Sequence, residues 1–68
     1  MQTMVHVRFF PDGSVTEIGF RPEGVDPQTW FNILSRAAGN AYQSLSGGRG
    51  LFRLDPQELD GIKAANAE

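Results

Sequence analysis

The run from Val25 to Leu45 is the longest stretch able to form the spine of a core, and it limits what the rest of the chain can do. Asp26 before Pro27 is a helix-start signature. The carboxylate accepts from the orphan N–H groups of the first turn, and proline at the first helical position gives up a donor that has no partner there. Beyond it, Trp30, Ile33, Leu34, Ala37, Ala41 and Leu45 recur at three- and four-residue steps, with Phe31, Ala38 and Tyr42 widening the same face. That spacing predicts one amphipathic helix over 26–46. Gly39-Asn40 falls inside it, as a bend or a close backbone approach at a cost of about 1 kcal/mol relative to alanine.

Upstream, residues 1–20 read as a β-hairpin. Thr3 to Phe10 alternates and is rich in β-branched and aromatic residues. Pro11-Asp12-Gly13 suits a type I turn closed by a G1 bulge, and Ser14 to Phe20 returns. With Phe10 and Gly13 as turn ends, Phe9 is expected opposite Ser14, Arg8 opposite Val15, His6 opposite Glu17 and Val5 opposite Ile18. Val5, Val7, Phe9, Ile18 and Phe20 then share the core face. Met4, His6, Arg8, Phe10, Val15 and Glu17 share the other.

Downstream, Ser46-Gly-Gly-Arg-Gly50 is read as the helix cap and a linker. A short strand is expected over 50–54 and a C-terminal helix over 55–66, started by a second Asp-Pro pair with Glu58 close behind. The expected architecture is a single α+β domain over 1–68, ordered ββαβα. Its antiparallel sheet has strand order 2-1-3 and packs on one long helix, with a two-stranded sheet as the alternative.

A chain of 68 residues buries only about 60% of the surface its unfolded form exposes, so a partner or a second copy is a natural support. There are no cysteines, and hydrophobic and charged residues make up 40% and 21%. Those values fit a folded domain of a reducing compartment. No apolar run follows a basic start and none reaches spanning length, so a cytoplasmic location is expected. The formal net charge of −2 is uneven: residues 1–54 balance at +1 and residues 55–68 at −3. That is far from the basic excess of a general nucleic-acid binder.

No stretch carries recognisable chemistry. His6 has Glu17 as its expected cross-strand neighbour and Arg8 on the same face, yet no nucleophile motif accompanies them, so two flanking polar groups on a solvated face explain the pair. One histidine and scattered carboxylates supply no metal-ligand spacing. The glycines of 46–50 follow a helix rather than precede one, which is the wrong side for a phosphate loop. Neither an enzyme, a metal nor a cofactor is therefore expected. Arg49-Gly50-Leu51-Phe52-Arg53 is similar to part of an RNA-recognition strand signature, without its second half.

Five of the six basic residues are arginine, a side chain enriched at interfaces because its planar fork pairs with carboxylates and stacks on rings. The expected function is a small non-enzymatic protein-interaction module, self-associating or acting as an accessory or inhibitor subunit on a larger protein. Met4, His6, Arg8, Phe10, Val15, Glu17, Arg49 and Arg53 are its candidate surface. The alternative is a nucleic-acid-binding domain in which Arg8, Phe10, Arg49, Phe52 and Arg53 converge. Two further expectations complete the reading: the C-terminal segment covering the outer sheet face, or the acidic 55–68 docking on a basic surface while 1–54 stays folded without it.

Overall fold

The computed structural model describes residues 2–66, arranged as two layers, a four-stranded antiparallel sheet and two helices. The strands are β1 (Thr3–Phe9), β2 (Val15–Ile18), β3 (Tyr42–Leu45) and β4 (Arg49–Leu54); the helices are α1 (Pro27–Ala38) and α2 (Pro56–Asn66). Their order in the sheet is β2-β1-β4-β3. The expected third strand is β4, and it lies beside β1 as anticipated. The additional strand, β3, extends the sheet beyond it.

β3 arises from the second half of the predicted 26–46 helix, which ends at Ala38 rather than continuing. Ala38 leaves helical geometry with φ −147° and ψ 41°, a 3₁₀ turn spans Gly39–Ala41, and the Tyr42 N–H donates to the Gly39 carbonyl. Gly39 admits no close neighbour, so it serves the interruption rather than a tight contact. The gain lies in Tyr42. From a strand its ring meets Phe31 edge-on at 5.7 Å and Phe52 at 5.0 Å, while Phe31 also packs edge-on against Phe9 at 5.4 Å. Such aromatic pairs add about 0.5–1.5 kcal/mol each beyond area burial. Ser46–Gly48 is accordingly the β3–β4 turn, with both glycines at positive φ, and not a helix cap.

The hairpin register differs from the simple reading because it contains two bulges. The Phe10 carbonyl accepts from Gly13 and its N–H donates to Ser14, with Gly13 at φ 93°, so the predicted turn forms but Phe10 sits opposite Ser14. Phe9 then faces Val15, whereas Arg8 faces Glu17 and Val7 faces Ile18. Thr16 is the surplus residue, its hydroxyl donating to the Arg8 carbonyl at 3.2 Å. A bulge places two residues against one and so resets which face follows. Val15, expected on the outer face, is buried. Phe20, expected in the core, is exposed.

Val5, Val7, Val15, Ile18, Phe52 and Leu54 from the sheet meet Trp30, Leu34 and Ala38 from α1. Ala37, expected on the buried stripe, faces solvent. Trp30 also fixes the helix to the end of β2, its Nε1 donating to the Gly19 carbonyl at 3.0 Å. Leu59 of α2 joins the same core and Ile62 packs against it. Both helices therefore lie on one side of the sheet. Leu59 places part of the acidic 55–68 segment in that core, so its removal would expose the core there and 1–54 is expected to lose stability without it; Glu68 lies outside the described residues.

The start of α1 carries a pH dependence. Asp26 accepts from the Thr29 N–H at 3.1 Å, and hydrogen bonds from the Thr29 side chain and backbone hold its carboxyl below the ordinary range. A folded-state pKa below the unfolded one stabilises the protein above the unfolded value and is lost as pH falls through the folded one. The Tm is expected to begin falling once the pH drops below about 3.9, the ordinary aspartate value. Asp26→Asn, which still accepts a hydrogen bond, should make that slope shallower in a series of thermal melts, with Asp12, whose carboxyl is also lowered by its hydrogen bonds from Ser14, supplying part of what remains.

Candidate functional site: the open face of the sheet

With both helices on one side, the other side of the sheet is left uncovered by any element among the described residues. Alternation places Met4, His6 and Arg8 of β1, Glu17 of β2, Gln43 and Leu45 of β3, and Arg49, Leu51 and Arg53 of β4 on it. Cross-strand partners form rows: Met4 beside Arg53; His6, Leu51 and Gln43; and Glu17, Arg8, Arg49 and Leu45. Six of the eight predicted surface residues are thus brought together.

The other two are not. Phe10 is exposed but sits at the hairpin tip, at the end of the face, and Val15 points the opposite way into the core. Phe52, which the nucleic-acid reading placed with the arginines, is fully buried on the helix side. His6 faces Leu51 and not Glu17, whose partner is Arg8. Neither helix covers this face; α2 turns to the other side.

Two residues the sequence did not single out complete the surface. Leu51 is 5% exposed yet stands outside the helix-side core, shielded within the outer face by its strand neighbours. Phe20 is 49% exposed and Met4 51%. Both line a groove of about 290 Å³ floored by the outer side of the hairpin, with His6, Arg8 and Glu17. Phe20 has φ 60°, a left-handed conformation costing a non-glycine residue about 1–2 kcal/mol. Gly19, just before it, was the available sign that the strand ends at Ile18.

Charge on this face is one-sided. Three arginines accompany a single acid, Glu17, and Arg8 and Arg49 are direct cross-strand partners. Like charges placed opposite each other are destabilising. Arg49 is steadied from behind, its Nε donating to the Ser46 carbonyl at 3.2 Å. Among the described residues no cluster of three or more metal-ligating side chains occurs, and no helix is long and apolar enough to cross a membrane.

Comparison with known proteins returns no matching family model, no matching curated protein and no matching solved structure.

Proposed function

We propose that this is a small non-enzymatic interaction module whose open sheet face docks on an acidic, partly apolar surface of a partner protein. The observation that carries the reading is the Arg8–Arg49 pair, direct cross-strand partners that border one groove, in a face that also exposes Met4 and Phe20. A carboxylate of the partner seated between them would turn a repulsive pair into two charge-assisted hydrogen bonds. Phe20 supplies an apolar anchor of the sort that dominates interfaces. The same arginines oppose stacking this face on its own copy, because three arginines against one acid leave both surfaces net positive.

Phe20→Gly isolates the anchor. It relieves the left-handed strain, while glycine's larger unfolded-state entropy takes back about 0.5–1 kcal/mol, so stability should stay within about 1 kcal/mol of the parent. Peptides selected from an acidic library against the parent chain should bind this variant at least tenfold more weakly, the effect of an anchor contributing about 2 kcal/mol. Fluorescence anisotropy measures this. Equal binding by the parent and Phe20→Gly would remove the face from the interaction.

The one-sided arginines also favour a second reading, a single-stranded nucleic-acid binder. Its signature is different: affinity for oligonucleotides would fall steeply with salt and with Arg49→Ala or Arg53→Ala.

A further inference from the structure

We infer that the protein also pairs with a second copy of itself through the free edge of β3, joining two four-stranded sheets into one of eight strands. The two edges of the sheet are built differently. At the β2 edge, the Val15 N–H is already taken by the Gln28 side chain at 2.9 Å, Thr16 is bulged out of register, and Phe20 turns the chain away. These are the devices that blunt a sheet edge.

β3 is as short as β2, at four residues, but carries none of these three features. Its register against β4 is unbroken over Tyr42–Leu45, and its sequence, Tyr-Gln-Ser-Leu, holds no proline and no charge. Gln43 and Ser44 are exposed. An antiparallel ladder uses alternate residues on each side of a strand, so about half of its backbone N–H and C=O groups face outward and match those of an identical strand about a two-fold axis. Charge selects the second copy as the occupant of this edge. Stacking two outer faces would bring together two surfaces that each carry three arginines and one acid, whereas two β3 edges meet without any charge. A two-fold axis normal to the sheet also keeps both outer faces on one side, so the Arg8–Arg49 pairs of the two copies would be presented together.

This goes beyond the docking reading and stands or falls separately. The test is the molar mass of the full chain by light scattering over a concentration series, for the parent, Gln43→Lys/Ser44→Lys and Phe20→Gly. The edge substitutions touch exposed side chains and place like charges across the two-fold. A dimer is expected, with its dissociation constant raised at least tenfold by the two lysines and unchanged by Phe20→Gly. Amide exchange at Gln43–Leu45 should slow as concentration rises, a readout that needs no substitution if the double variant fails to fold. A monomer at every concentration overturns the inference, even if peptide binding through the open face persists. So does a dimer that the lysines leave intact, one lost with Phe20→Gly, or one in which exchange at Gln43–Leu45 is unchanged.

Discussion

Trp30→Ala is expected to abolish the cooperative unfolding transition at 25 °C. The indole is 0% exposed, and replacing a buried large aromatic with alanine costs about 3–5 kcal/mol. Domains of this size hold roughly 3–10 kcal/mol in all, at about 0.05–0.15 kcal/mol per residue. The substitution also strands the Gly19 carbonyl, which the indole Nε1 satisfies. Trp30→Phe separates the two effects. It keeps most of the buried ring, leaves the carbonyl without its donor, and should cost about 1–3 kcal/mol. Urea titrations followed by far-UV circular dichroism distinguish a flat profile for the first variant from a shifted midpoint for the second. A normal transition in Trp30→Ala would mean that α1 is held to the sheet by something other than this side chain.

Gly50→Ala should be the most damaging single-methyl change in the sheet. Gly50 lies opposite Val7 on one side and Ser44 on the other, and the Tyr42 ring occupies the space above it. A Cβ there would sit 2.7 Å from Tyr42 Cε1 and 2.8 Å from Cζ. The ring must swing outward and give up its contacts with Phe31 and Phe52, a loss of about 1–3 kcal/mol typical of overpacking. Because the cost passes through one neighbour, it should be strongly non-additive. In a Tyr42→Ala background the added methyl should cost less than half as much, a coupling readable from a double-mutant cycle of urea midpoints. Additive effects would show that Gly50 matters for its backbone rather than for the ring.

How far the sequence reaches can be read in the two halves of the Val25–Leu45 run. Its first half was legible because the signals are local and unambiguous: Asp26 caps, Pro27 starts, and Trp30, Leu34 and Ala38 recur at four-residue steps on the buried face. In its second half the same spacing misleads. A step of four residues, as from Ala41 to Leu45, suits a helix and is also a multiple of the strand period of two. Periodicity alone could not separate them. What separates them is the neighbour: only β4 alongside rewards Tyr42–Leu45 for extending. The hairpin divides in the same way. Pro11-Asp12-Gly13 announced its turn, but the Thr16 bulge that sends Val15 inward and leaves Glu17 outward has no local mark.

The candidate surface inherits that division. Met4, His6, Arg8, Arg49 and Arg53 were identifiable from alternation along single strands, and pairing of the third predicted strand with the first was enough to join them. Phe20 and Leu51 were not identifiable, since a phenylalanine after Ile18 and a leucine in a strand both read as core. By itself the sequence determined the class of the fold, the first turn and the start of both helices, all set by cap chemistry, turn conformations and hydrophobic alternation acting over a few residues; the pairing of β4 with β1 was one of two arrangements it allowed. The tertiary structure alone decided that the long run breaks at Ala38, that both helices share one side of the sheet and that Phe20 faces solvent. Those outcomes depend on burial and ring packing between residues far apart in the chain, which decide among alternatives that local signals such as Gly39-Asn40 and Gly19 leave open.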